Sequence, residues 1–200
     1  LTISNRRKRK QQITIKSLKN ALIELILENN EVELITIGEI SNRADLNRGT
    51  FYIHYKDKNE ILEALYYDAI EGLQQALRTP YKNTNKVLLN ELVVPSTKLI
   101  FEHIETNKKL FKALDLIDKD PNLYKRLEQM FWSLFTTEIL FERDSLSGET
   151  EYEIFLSYQL HATLGVIKYW ISRDFMYSSA FMSEQLTSYY SHRVTAMNFK

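Results

Sequence analysis

Cysteine is absent from this 200-residue chain, which removes disulfide frameworks, thiolate zinc sites, iron–sulfur clusters and thiol nucleophiles together. Glycine and proline are scarce, at 5 and 3 residues. A many-stranded sandwich or barrel needs such turn formers about every ten positions, so their scarcity nearly excludes an all-β fold. Long hydrophobic runs are missing as well: no apolar stretch approaches the ~18 residues that a membrane-spanning helix requires, and no membrane contact is expected. Leu1 to Lys10 is polar and basic with no apolar run behind it, unlike a secretory signal. A cysteine-free chain of this kind is expected in a reducing compartment, the cytoplasm.

Net charge is zero, with 26 basic and 26 acidic residues, yet the balance conceals a gradient. Residues 1–60 carry 11 Lys and Arg against 8 Asp and Glu, and residues 61–200 carry 15 against 18. Arg6, Arg7, Lys8, Arg9, Lys10, Lys16 and Lys19 precede the first acidic residue, Glu24. Such a run is either a solvated face or a contact for a polyanion.

What the chain does have is 44% hydrophobic residues, enough for a core, spaced with helical period almost throughout. Ile15, Leu18, Leu22, Leu25 and Ile26 form one stripe of a helix that ends near Asn29-Asn30. Thr36-Ile37-Gly38-Glu39 has the form of a capping box and starts a short helix with Ile37, Ile40 and Ala44 inward. Ala44-Asp45-Leu46-Asn47 reads as a tight turn in which Asn47 caps a second short helix, Arg48 to Tyr55. Asp57-Lys58-Asn59-Glu60 repeats the cap logic ahead of a long helix to about Arg78, and Thr79 to Asn85 reads as a hinge. Further helices are predicted over Pro95–Glu105, Asn107–Ile117, Pro121–Arg143, Glu149–Arg173 and Ser178–Ala196, with Pro121 at the first helical position behind Asp120. The expected fold is all-α.

Two short helices joined by a tight turn behind a basic helix describe a helix-turn-helix unit. The run Ile35 to Ile61, ITIGEISNRADLNRGTFYIHYKDKNEI, resembles the DNA-binding signature of the TetR family of bacterial transcriptional regulators. The matching features are Thr36 at the second-helix cap, Ile40 and Ala44 inside, Gly49-Thr50-Phe51-Tyr52, and His54-Tyr55 followed by Lys58 and Ile61. Ile37-Gly38 departs from members that carry a long polar or basic residue after the cap, which moves base reading onto the third helix. The resemblance covers about 50 residues. It implies a three-helix DNA-binding domain at 1–56 and a helical effector-binding and dimerisation domain at 57–200, acting as a sequence-specific regulator, a repressor released from its operator by a small molecule. An activator, or a regulator without such an effector, is the alternative. No cofactor, metal or catalytic residue is expected; the expected partners are double-stranded DNA with a palindromic operator, a second copy of the chain and an unidentified small-molecule effector.

A recognition helix sets its first residues against base edges in the major groove. Arg48 is placed to donate a bidentate pair to guanine, and Thr50 to meet thymine or phosphate. Tyr52, His54 and Lys58 are expected beside the groove on phosphate, with Thr36 and Asn47 orienting the helix starts and Gly49 allowing close backbone approach. Tyr55 is assigned to the core.

The resemblance implies that the last two long helices pair with their mates in a dimer. Leu160, Leu164, Ile167, Trp170 and Ile171 on one helix and Leu186, Tyr189 and Tyr190 on the other are candidate anchors, with Ala162 and Gly165 permitting close approach; core packing within one subunit is the competing explanation. It further implies an effector pocket, for which Phe101, His103, Phe111, Trp132, Phe135, His161 and Tyr169 are candidates against a plain core role.

An enzyme is the rival from another class. His103-Ile104-Glu105 imitates the His-x-Glu of zinc deaminases, but the cysteine ligands are missing. The four histidines never occur at the spacing of His-Glu-x-x-His, and the glycines form no phosphate loop.

Overall fold

A computed structural model describes residues 3–29, 31–81, 94–117, 121–138 and 151–191. Among these residues the chain is helical throughout, with no strand. In order come α1 (Ile3–Asn29), a 3-10 turn (Val32–Leu34), α2 (Ile37–Arg43), α3 (Arg48–His54), α4 (Lys58–Arg78), a second 3-10 turn (Thr79–Tyr81), α5 (Pro95–Thr106), α6 (Lys108–Asp115), α7 (Leu123–Thr137), α8 (Tyr152–Ser172) and α9 (Ser179–Ser191). The all-α expectation holds. α7 begins two residues after Pro121 rather than at it. The ends predicted at Arg143 and Ala196, the rest of the hinge and Asp120 lie outside the described residues.

Contacts group the chain into two compact units, residues 1–69 with 109–123 and residues 70–108 with 124–200. The expected boundary between residues 56 and 57 lies within the first.

In the first unit the stripe read from α1 is the core: Leu18, Leu22 and Ile26 are buried with Ile40 of α2, Phe51 of α3 and Ile61, Leu62 and Leu65 of α4. Each such side chain stabilises by roughly 1.5–3 kcal/mol. The helix starts are fixed by side-chain caps. Thr36 Oγ1 accepts from the Glu39 amide at 3.2 Å while Glu39 Oε2 accepts from the Thr36 amide at 2.8 Å. Asp57 Oδ1 accepts from the Glu60 amide at 3.0 Å. Between α2 and α3 the chain reverses through Asp45, whose φ of 55° lies in the left-handed region that a short polar side chain tolerates.

In the second unit α5 packs on α9 and the centre is Trp170 of α8, fully buried. Its ring meets Phe101 and Phe175 edge-on at 5.3 and 5.2 Å between centroids, and its N–H donates to the Tyr177 carbonyl at 2.9 Å. That bond closes the turn between α8 and α9, where Asp174 and Phe175 take positive φ. Glu105 of α5 caps α9, accepting from the Ser179 amide at 3.1 Å and its hydroxyl at 2.6 Å.

Candidate nucleic-acid interface

α3 is too short for its register to be ambiguous. Phe51 and Tyr55, four residues apart, are 0% and 7% exposed, so positions a half-turn away face outward. Gly49 and Ile53 lie there and Tyr52 about a quarter-turn away, while Arg48 is the first residue of the helix; all four are exposed, Tyr52 at 54% and Ile53 at 75%. Tyr52 stands edge-on to Phe51 at 5.7 Å. Thr50 and His54 are half-buried at the borders of this face. Ile53 escaped the sequence reading, although the inward pair Phe51 and Tyr55 already implies that its side chain points out.

Asn47 organises the start of this helix. Its Oδ1 accepts from the Thr50 amide at 2.8 Å and from the Thr50 hydroxyl at 3.1 Å. The Thr50 hydroxyl proton is therefore committed to Asn47, which leaves its oxygen as an acceptor. A Cβ on Gly49 would stand 3.2 Å from Asn47 Oδ1, so this glycine has a local task of leaving room for the cap.

Thr36 is exposed, but its hydroxyl and amide are both spent on Glu39. Those hydrogen bonds hold the Glu39 carboxyl below the usual range. The start of α2 thus carries a carboxylate.

Lys58 departs most from expectation. Its ammonium donates to the carbonyls of Val32, Glu33 and Ile35 at 2.7, 2.8 and 2.9 Å. An ammonium has three protons, and all three are committed, so none is left for a phosphate. Lys58 braces the turn between α1 and α2 instead. Arg43 is likewise occupied, bridging to Glu28 at 2.7 Å and Glu24 at 3.5 Å.

These elements coincide with what known proteins share. The family model for bacterial regulatory proteins of the tetR family matches residues 32–65, and that for the transcriptional regulator C-terminal region matches residues 91–192, half of the chain. The chain belongs to the TetR family. An uncharacterized HTH-type transcriptional regulator of Bacillus subtilis (strain 168), YxbF, is 25% identical over 173 residues, 84% of this chain and 42% of that protein. The chain therefore spans less than half the length of this curated relative. Among solved structures, a TetR transcriptional regulator from Streptococcus agalactiae 2603V is 21% identical with a TM-score of 0.58, covering 93% of this chain and 98% of that one. The fatty acid degradation regulator FadR from Bacillus halodurans is 14% identical with a TM-score of 0.58, covering 87% and 92%. At such identities the likeness establishes the fold.

Regulators of the TetR family bind DNA and are typically dimers, which makes the outer faces of α8 and α9 the next question. Leu160, Ile167, Trp170 and Ile171 are fully buried within one TetR-family chain, and Leu164 and Leu186 nearly so. These side chains belong to the subunit's own core. Tyr189 is exposed at 62%; the Tyr190 side chain lies outside the described residues. The residues that do face outward on α8 are Ile154, Tyr158, Ala162, Gly165 and Tyr169, one helical stripe, and a Cβ on Gly165 would meet nothing within 4 Å.

The pocket candidates separate in the same way. Phe101 and Phe135 are buried in the second unit, whereas Phe111 is buried in the first. Trp132, His161 and Tyr169 are exposed. His103 packs its imidazole onto Gly72 of α4, where a Cβ would come within 2.1 Å of the ring. Burial there pushes its pKa down, favouring the neutral ring. Among the described residues no cluster is suited to holding a metal ion, and no helix is long and apolar enough to cross a membrane.

Proposed function

We propose that this protein is a sequence-specific DNA-binding transcriptional regulator, not an enzyme, that reads a palindromic operator as a homodimer and acts as a repressor released by a small molecule. The observation that carries the reading is the outward face of α3, with Arg48, Tyr52 and Ile53 exposed above a buried Phe51. Arg48 supplies a bidentate donor for guanine and Ile53 an apolar surface for a thymine methyl, while Tyr52 and His54 flank them toward the backbone. Thr36, Asn47, Gly49 and Thr50 contribute by shaping the two helix starts; Lys58 contributes by holding the fold.

One such module buries little surface on DNA, and twofold pairing lets two recognition helices meet successive major grooves about 34–36 Å apart. The exposed stripe of α8 and Phe181 and Tyr189 on α9 are apolar surfaces suited to that pairing. An effector releases the operator only by binding more tightly to the state in which this spacing is lost. Family membership supports a ligand-responsive regulator.

Selection of bound duplexes from a random pool tests the reading. The expected product is an inverted repeat, bound by two chains. Recovery of no enriched sequence at modest ionic strength would overturn it.

A further inference from the structure

The amino-terminal third of α1 has no task in the fold. Residues 5–13 are all exposed, and the first buried residue of the helix is Leu18. At 1.5 Å per residue, Ile3 to Leu18 is a helix of about 22 Å ahead of the core. Five consecutive cations, Arg6, Arg7, Lys8, Arg9 and Lys10, ring this segment, because successive residues step 100° around a helix. Neither a hydrogen bond nor an ion pair engages their side chains among the described residues, and α1 has no acidic residue in its first turn.

This layout is unfavourable for an isolated helix on two counts. Cations at the amino end oppose the helix dipole. Arg6 with Arg9 and Lys10, and Arg7 with Lys10, are like charges at the spacings where helical side chains meet. A polyanion relieves both. The same compact unit carries the outward face of α3, and duplex DNA beside an operator half-site offers one negative charge per ~1.7 Å along its axis.

We infer that the basic amino end of α1 is a second DNA-contacting element, which grips phosphates of the duplex flanking each half-site without reading bases and is made more rigid as a helix by doing so. This rests on the DNA-binding reading above and extends the contacted surface beyond α3. Its contribution is salt-sensitive affinity, since each phosphate neutralised changes the slope of log K against log salt by about 0.9.

The test replaces all five cations with glutamine, a good helix former, in Arg6→Gln, Arg7→Gln, Lys8→Gln, Arg9→Gln and Lys10→Gln combined, and compares the variant with the native chain on a selected duplex carrying long flanks. The expected result is a slope reduced by more than about 1 per subunit, approaching about 4.5 if every cation meets a phosphate. The footprint should retract at both outer edges while the bases protected by α3 stay the same. Hydrogen exchange of residues 5–13 in the native chain should slow on adding duplex. Because these side chains are exposed and their repulsion disfavours the helix, the unfolding midpoint of the variant should be no lower than that of the native chain. An unchanged slope and footprint in a variant that still binds overturns the inference and leaves the function intact. Failure of the native chain to bind any duplex overturns both.

Discussion

The ammonium nitrogen of Lys58 lies 2.7 Å from the carbonyl oxygen of Val32, and the carbonyls of Glu33 and Ile35 complete its partners. A charge-assisted hydrogen bond contributes about 1.5–3 kcal/mol, and the three share one side chain. Lys58→Met keeps the aliphatic stem and removes the charge. The expected outcome is a loss of about 2 kcal/mol in urea unfolding, with the salt slope of DNA binding by the folded protein unchanged. A slope lower by about one with native stability would assign Lys58 to a phosphate instead.

Arg48 and Ile53 divide the exposed face of α3 between a charged and an apolar reader. Arg48→Ala should relax selection at one base pair of each half-site by roughly 1–3 kcal/mol, leaving binding to unrelated duplexes little changed. Ile53→Ala should relax a different position, one occupied by thymine. Selected sequence logos for the two variants check this directly. Equal weakening on selected and random duplexes would make either residue a backbone contact.

Much of the first unit was legible because its signals are local. Thr36 and Glu39 stand three apart and form the box their spacing predicted, and Phe51 with Tyr55 sets the register of α3. Lys58 was illegible because its partners lie 23 to 26 residues away and a flexible ammonium shows no directional pattern. α8 misled for another reason. It is apolar on both sides, with Leu160 and Trp170 inward and Ile154 and Tyr158 outward. Hydrophobic spacing marks a stripe, but it does not say whether that stripe meets the chain's own core or a second copy.

Tyr55 links the core to alkaline pH. Burial first, then the charges of Asp68 and Glu60, push its hydroxyl up to about 12. The unfolded chain ionises near 10, so the folded state holds the proton more tightly. The corresponding stability is fully present below pH 10 and is lost as pH rises from about 10 to 12, amounting to roughly 2–3 kcal/mol. Tyr55→Phe should flatten this part of the stability curve, measured by urea unfolding at stepped pH. The absence of cysteine keeps thiolate chemistry out of that range. Parallel curves for the two proteins would show that Tyr55 titrates normally.

Trp170 and Tyr158 separate the two tasks of α8. Trp170 is fully buried and its N–H satisfies the Tyr177 carbonyl at 2.9 Å, whereas Tyr158 is 70% exposed. Trp170→Phe shrinks a fully buried ring and takes the donor away from the Tyr177 carbonyl, which should cost about 1–3 kcal/mol in unfolding. Its effect on self-association should be small once the chain is folded. Tyr158→Asp puts a charge on the outward stripe, where the subunit's own core does not feel it but an apolar partner surface would have to desolvate it. The expected outcome is a rise of at least tenfold in the dimer dissociation constant by sedimentation equilibrium, with helix content intact. Affinity for a two-half-site duplex should fall with it, and affinity for a single half-site should not. Should Tyr158→Asp leave association untouched while Trp170→Phe abolishes it, pairing would have to involve an opened subunit, and the outward stripe of α8 would not be the dimer face.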